Sequence, residues 1–249
     1  MRQNWMYLYH VEPTPELFVE EIRKWAKEGA FADPHRELPI LVFLSCILAA
    51  NPLRVKAWFD ALSDLGPDNW YTLKVAAWHS CTPEAHAYLA EKAWIEEGWP
   101  PPCPVEHSTL FRAEVDADPI LLDALWAHYF ATGNHKAIRR IICALDYMGC
   151  FGAAKAYATT QKTEEDGKRA LRDGIFQAAS WSLKSVMKDY PPLKAFCAEQ
   201  VRTGGDLTSN ERCALAIILS ELEPDIWHVH IDSKTGSASI GWRSTPDLN

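Results

Sequence analysis

Apolar residues recur at helical intervals along most of this chain. In residues 16–28, Leu17, Ile22 and Trp25 fall at roughly helical spacing before Gly29, a residue that suits a helix end. This spacing is typical of amphipathic helices that pack by their apolar faces. Residues 38–50 are apolar on all sides, which predicts a helix buried between its neighbours.

Four predicted helices share one kind of start, in which a capping residue precedes proline. The four pairs are Thr14-Pro15, Asn51-Pro52, Thr82-Pro83 and Asp118-Pro119. Thr, Asn and Asp accept hydrogen bonds from the first amides of a helix, and proline suits its first position. The pairs are 37, 31 and 36 residues apart, about the length of two short helices and their turns. We therefore predict an all-α fold of about ten helices, arranged as antiparallel pairs in a short α-solenoid-like array.

The C-terminal part of the chain continues the helical pattern and then changes to a strand pattern. Residues 164–189 predict a long helix, and Thr208 with Glu211 forms a capping box that opens a helix through Leu222. Residues 227–231 and 237–242 alternate between apolar and polar positions around turn-forming residues. This pattern predicts a small C-terminal β-hairpin that packs on the helices.

A proline-rich stretch divides the helical pattern. Residues 99–116 contain four prolines and no helical period, which predicts an ordered connection or a partner-binding loop. The predicted organisation is an N-terminal helical half (1–98), a connection (99–117), a C-terminal helical half (118–224) and a hairpin with its tail (225–249). We expect these parts to form one continuous unit.

Composition restricts the class of protein. The chain has 249 residues, of which 48% are hydrophobic, and a formal net charge of −8. Acidic chains repel phosphate backbones, so a nucleic-acid partner is not expected. The N-terminus lacks the pattern of a signal peptide, and the most apolar stretch is too short for a membrane span. Seven cysteines without a regular framework favour reduced thiols. These features predict a cytoplasmic protein without a membrane partner.

Residues 125–146 resemble a tetratricopeptide repeat. The positions that carry the likeness are Leu125, Tyr129 and Gly133 in the first helix and turn, and Ala137, Ala144 and Leu145 in the second helix. Together with the segment Ala179-Ser-Trp-Ser-Leu183, this stretch is similar to a group of bacterial all-helical proteins of unassigned function. The resemblance implies stacked antiparallel helix pairs and a bacterial origin, and it implies no chemistry.

Motifs for catalysis or cofactor binding are sparse. The sequence has no phosphate-binding glycine loop, no Gly-x-Ser-x-Gly elbow and no His-Glu-x-x-His helix. Cys103 in the proline-rich stretch could supply a thiol nucleophile, with His107 or another histidine brought in by folding as its base, or Cys103 could be an incidental loop residue. His228 and His230 share one face of a predicted strand and could form half of a metal site, or they could simply face solvent. We predict no catalytic residue, no metal and no cofactor.

Adjacent carboxylates are a further source of candidate chemistry. Such groups occur at Glu20-Glu21, Glu96-Glu97 and Glu164-Glu165-Asp166. Neighbouring residues on a helix point in different directions, so these pairs do not converge on one pocket as acid–base catalysis requires. Solvated helix faces explain them.

Candidate partner-binding residues lie in and beside the proline-rich stretch. Trp99 and Phe111 are large aromatics that could anchor an interface or pack back on the helices. Glu96 and Glu97 add acidic charge near them. Arg139 and Arg140 belong to a short basic patch that could bind an acidic partner or could be an ordinary exposed helix face.

The sequence thus favours a non-catalytic protein-binding protein. Such a protein could be a toxin-immunity protein, an adaptor or a secretion chaperone. Its partner would be another protein, such as a toxin or an effector. Stacked helix pairs commonly form concave surfaces for such binding. The alternatives are an enzyme of unrecognised family, with a Cys/His or carboxylate site in the helical concavity, and a structural oligomer subunit.

Overall fold

The computed structural model describes residues 5–92, 108–112, 119–159, 163–232 and 238–243. Within these residues the chain forms twelve α-helices and one β-hairpin, which confirms the predicted all-α fold with a C-terminal hairpin. The first seven helices are α1 (Phe18–Lys27), α2 (Pro34–Ala50), α3 (Val55–Ala61), α4 (Pro67–His79), α5 (Pro83–Glu91), α6 (Ser108–Arg112) and α7 (Ile120–Thr132). The remaining elements are α8 (His135–Cys143), α9 (Ala153–Tyr157), α10 (Glu164–Asp189), α11 (Pro191–Thr203), α12 (Ser209–Leu222), β1 (Trp227–Ile231) and β2 (Ala238–Trp242).

Capping chemistry fixes several of the helix starts. The Thr82 side chain accepts a hydrogen bond from the Ala85 amide at the start of α5, and Thr208 and Glu211 complete the predicted capping box of α12. Two of the proline pairs begin with a tighter turn, because 3₁₀ segments at Pro15–Leu17 and Pro52–Arg54 precede α1 and α3.

Three segments differ from the sequence-based expectation. Helix α2 begins at Pro34, earlier than predicted, because Asp33 caps it and proline suits its first position. The stretch predicted to lack helix contains the short α6. A 3₁₀ segment, Ala144–Cys150, and the short helix α9 follow α8.

The chain divides into two compact units, Met1–Ile138 and Arg139–Asn249, called here the first and second units. The division lies beyond the proline-rich connection 99–117. Helix α7 packs against α2 and therefore belongs to the first unit.

Aromatic rings dominate the core of the first unit. Trp5 lies at its centre, with ring centroids 5.3 Å from Phe43, 5.4 Å from Tyr9 and 5.6 Å from Trp25. Phe18 stacks on Trp58 at 4.2 Å. Most of the described tryptophans are thus packing residues, as their size and rigidity allow.

Helix α10 organises the second unit. It packs against the Ala144–Cys150 segment, α9, α11 and α12, and β1 packs on α12. The two strands are antiparallel, with Trp227 paired to Trp242 and Val229 paired to Ile240. Trp227 is 1% exposed, so it attaches the hairpin to the helical layer.

The excess of acidic over basic residues lies in the first unit. Residues 1–138 contain 11 Lys and Arg and 19 Asp and Glu, whereas residues 139–249 contain 14 of each class. The net charge of −8 therefore belongs to the first unit, and the second unit is neutral.

Two findings bear on the expected surroundings of the chain. Among the described residues no single helix has the length and apolar character of a membrane span, although the bent pair His35–Ala50 and Pro52–Ala61 meets both criteria together. Cys81 is disulfide-bonded, which departs from the expectation of reduced thiols, while five other described cysteines are free.

Candidate functional site

A groove between α10 and α12 is the candidate site in the second unit. Its volume is about 640 Å³, within the range of pockets that receive a ligand or an anchoring segment. The groove is lined by Met148, Phe151, Phe176, Gln177, Ser180, Trp181, Lys184, Ala214, Ile217, Ile218 and Glu221. Most of these side chains are apolar.

Helix α10 forms one wall of the groove because it carries two neighbouring stripes of side chains. Its core stripe consists of Ile175, Ala179, Leu183, Val186 and Met187, all buried. The groove stripe consists of Phe176, Gln177, Ser180, Trp181 and Lys184. Both follow the i, i+4 spacing that places side chains on one helix face. One stripe packs in the unit's core, and the other faces the groove.

Helix α12 supplies the floor and the opposite wall. Ala214, Ile217 and Ile218 recur at helical spacing and line the groove. Ala214 is 3% and Ile218 is 5% exposed, whereas Ile217 is only half-buried. The floor is therefore closed and apolar, and Ile217 remains accessible to an occupant.

Phe151 and Phe176 form one end of the groove, with ring centroids 6.1 Å apart. Phe151 lies just before α9, and the Asp173 carboxylate holds this segment against α10. The carboxylate accepts hydrogen bonds from the Ala154 amide at 2.9 Å and from the Gln177 side chain at 2.8 Å. Asp173 is fully buried, so the aromatic end rests on a fixed support.

Trp181 is the unusual residue of the groove. It is 73% exposed, as is Phe151 at the aromatic end. By contrast, six described tryptophans are buried: Trp5, Trp25, Trp58, Trp70, Trp126 and Trp227. Large apolar side chains left accessible beside one groove mark an interaction surface, and tryptophan is enriched at binding hot spots.

The polar groups of the groove are few and have defined positions. Lys184 and Glu221 form an ion pair at 2.7 Å on the rim, with side chains 45% and 51% exposed. Ser180 Oγ is buried without a hydrogen-bond partner among the described residues. The paired charges leave the rim neutral.

The candidates that sequence reasoning selected do not converge on this groove. Phe111 packs on the His128 ring, with 5.0 Å between the ring centroids. Of its two predicted roles, anchoring an interface or packing back on the helices, this contact is the second. Arg139 donates to the Glu211 carboxylate at 2.9 Å and to the Asp206 carbonyl at 2.7 Å. Its guanidinium therefore stabilises the second unit from within, and the neighbouring Arg140 is half-buried. Trp99, Glu96 and Glu97, together with Cys103 and His107, lie outside the described residues.

The two hairpin histidines occupy the places that the alternation predicts. His228 and His230 are both exposed on β1, opposite Gly241 and Ser239 of β2. Within the parts of the chain that the structure describes, no three His, Cys, Asp or Glu side chains come together as a metal site would require.

Burial suppresses the reactivity of four free thiols. It raises the pKa of Cys46 and of Cys197 to about 12, and it also raises the pKa of Cys143 and of Cys213. A thiol nucleophile acts as the thiolate. At neutral pH these four groups are protonated and behave as apolar packing residues.

Sequence reasoning did not select Phe151, Phe176 or Trp181. The sequence did contain a sign of the groove, because α10 and α12 each carry more apolar residues than one core-facing stripe needs. A helix that is apolar over a wide arc either sits between two layers or leaves one stripe for a partner.

The comparisons with known proteins add no relative. No family model, no curated protein and no solved structure matches this chain.

Proposed function

We propose that this chain is a non-catalytic protein-binding protein that receives an amphipathic helix of its partner in the groove between α10 and α12. The observation that carries the proposal is the exposure of Trp181 and Phe151, each 73%, beside one apolar groove. A monomer gains nothing from leaving such side chains in water, whereas an interface gains anchors of low entropy cost.

The dimensions of the groove favour a helix as the occupant. Its α10 wall runs from Phe176 to Lys184, a distance of about 12 Å at 1.5 Å per residue. This length corresponds to about two turns, over which an amphipathic helix presents apolar residues at i, i+3 or i+4, and i+7. The occupant would pack between α10 and α12 as a third helix.

Charge has a small part in this recognition. The second unit has no net charge, and its rim charges Lys184 and Glu221 already pair with each other. Binding should therefore change little between about 50 and 500 mM salt, because screening acts on unpaired exposed charges. This expectation differs from attraction of a basic partner by overall acidity, which would weaken with salt.

Trp181 should contribute most of the binding energy. A tryptophan buries about 150–250 Å² in an interface, so covering its exposed 73% stabilises the complex by roughly 3–5 kcal/mol. Truncation at a binding hot spot costs about 2 kcal/mol or more, which is about thirtyfold in affinity. We expect Trp181→Ala to weaken the complex by at least this factor.

A photo-crosslinking experiment in the native cell tests the proposal. A benzoyl-phenylalanine placed at Ile217, the half-buried α12 residue that lines the groove, should capture one dominant protein, and the crosslinked peptide should be amphipathic and helical. Adding Trp181→Ala should abolish this product. The same probe at Tyr71, 56% exposed in the first unit, is the matched control and should not capture that protein.

Three outcomes would overturn the proposal. They are capture of many proteins without a dominant one, capture that survives Trp181→Ala, and crosslinking only to a second copy of this chain. The identity of a captured partner would also separate the three forms of the function. A toxin indicates an immunity protein, an exported protein indicates a secretion chaperone, and a second cellular factor indicates an adaptor.

A further inference from the structure

A second cavity lies in the first unit, between α2 and α7. Its volume is about 280 Å³, which suits one small molecule rather than a peptide segment. Its apolar surface comes from Trp25, Ile40, Trp126 and Phe130, and its charged groups include Arg36 and Asp123. Trp25, Ile40 and Trp126 are 6%, 4% and 6% exposed, so the apolar surface is fixed by the core of the unit.

Arg36 and Asp123 face this cavity without pairing. Both residues are exposed, and neither side chain has an opposite charge within 4.0 Å among the described residues, including the other. Other exposed charges of the same unit do form pairs, such as Arg23 with Asp64 at 2.7 Å and Lys56 with Glu91 at 3.1 Å. Opposite charges thus line one small cavity with space between them.

The aromatic walls complete the chemistry of the site. Trp126 stacks on Phe130, 5.5 Å between centroids, and Trp25 lines the same cavity. Aromatic faces accept both apolar groups and ammonium groups. A guanidinium binds a carboxylate in a two-pronged geometry, and a carboxylate binds an ammonium group.

We propose that this cavity is a binding site for a small zwitterion with an apolar side group, of the class of free aromatic or branched amino acids. Arg36 binds the carboxylate of the ligand, Asp123 binds its ammonium group, and the apolar side group packs on Trp25 and Trp126. This site is independent of the groove in the second unit and of its proposed protein partner.

The surroundings of Asp123 agree with this assignment. Asp123 is exposed at the cavity mouth, and partial burial still raises the pKa of its carboxyl above the ordinary value of 3.8, the direction expected for a carboxylate without an ion-pair partner among the described residues. An ammonium group of a ligand supplies that partner. His35, beside Arg36 in the cavity lining, adds a second donor for the ligand carboxylate.

Titration calorimetry with three matched probes tests the proposal. The probes are L-phenylalanine, phenethylamine, which lacks the carboxylate, and 3-phenylpropionate, which lacks the ammonium group. The intact protein should bind L-phenylalanine at least about tenfold more tightly than either truncated probe, because each truncation leaves one charged group of the site unpaired. L-Leucine and L-tryptophan extend the series to other apolar side groups.

Two variants assign the charged contacts, and each predicts a different loss of selectivity. Arg36→Gln should bind L-phenylalanine and phenethylamine with equal affinity. Asp123→Asn should bind L-phenylalanine and 3-phenylpropionate with equal affinity. Glu37→Gln is the matched control, because Glu37 is an exposed first-turn residue of α2 outside the cavity lining, and it should leave all three affinities unchanged.

Unchanged circular dichroism and melting temperature would show that the variants fold. Absence of L-phenylalanine, L-leucine and L-tryptophan binding at about 10 mM to the intact protein overturns the proposal. Equal weakening of all three probes in both variants also overturns it, since that result assigns no group to either charge.

Discussion

Replacing Gly133 with alanine should destabilise the first unit through two separable effects. Gly133 ends α7 with φ of +68°, in the left-handed region where a Cβ costs about 1 kcal/mol. A Cβ at this position would also lie 2.7 Å from His10 Cδ2 and 3.2 Å from His10 Cγ. Ordinary carbon contacts begin near 3.5 Å, so the His10 ring would have to move by almost 1 Å.

Moving the His10 ring has a further energetic consequence. Its Nδ1 donates a hydrogen bond to the Phe130 carbonyl at 3.2 Å, and the ring packs on Tyr129 with 5.0 Å between centroids. Loss of this hydrogen bond costs about 1 kcal/mol, and overpacking costs about 1–3 kcal/mol. With the backbone strain of about 1 kcal/mol, the total cost in unfolding free energy should be about 3–5 kcal/mol.

Urea unfolding of four proteins measures the two effects separately. Gly133→Ala is introduced into the wild type and into His10→Ala, where the clash cannot occur. In the second background we expect the substitution to cost only about 1 kcal/mol of unfolding free energy, the strain alone. The difference between the two costs is the interaction between positions 10 and 133.

Gly29 provides the matched control for this cycle. Its φ is +69°, and an added Cβ would meet nothing within 4 Å. Gly29→Ala should therefore cost about 1 kcal/mol in both backgrounds. An equal cost of Gly133→Ala with and without His10, or a cost no larger than that of Gly29→Ala, would refute the predicted clash with His10.

Three other outcomes follow from the described contacts. Burial lowers the pKa of His10 below its ordinary 6.5, so the unfolded chain takes up this proton first as the pH falls. Stability should be fully present above pH 6.5 and decline below it, and His10→Gln should flatten that part of a pH series of urea unfolding curves. Arg139→Met leaves Glu211, whose side chain is 4% exposed, as a buried unpaired charge. It should cost about 2 kcal/mol by chemical denaturation, and adding Glu211→Gln should recover part of that loss; a double variant as unstable as the single one would contradict this account. Trp181→Ala should change the unfolding free energy by less than about 0.5 kcal/mol, as should Leu53→Ala at a position 87% exposed, and a large loss at Trp181 would show that it is a packing residue.

Local chemistry explains why the helices could be predicted. Caps and first-turn prolines act within four residues, so the starts of α5 and α12 follow from Thr82-Pro83 and from the Thr208 box. The bounds of α10 were also predicted correctly. Its start uses a second capping box, Thr163 with Asp166, which differs from the Thr208 box in the shorter carboxylate.

Tertiary contacts explain what the sequence did not reveal. The short α6 has Phe111 on the His128 ring, a contact far along the chain that no local pattern contains. The groove depends on which of two apolar stripes of α10 meets the core. Trp181 and Leu183 are both large and apolar, and periodicity alone does not distinguish them. Burial does, since Leu183 is fully buried and Trp181 is 73% exposed.

The position of Trp181 gives the second unit an intrinsic optical reporter. Six of the nine described tryptophans are buried, and Trp181 is 73% exposed against 40% for Trp242, so among the described indoles a water-soluble quencher such as iodide should act first on the one beside the groove. A docked helix would shield that indole and move its emission to shorter wavelength. Occupancy of the groove can therefore be followed in the unlabelled protein, with Trp181→Phe as the silent reference.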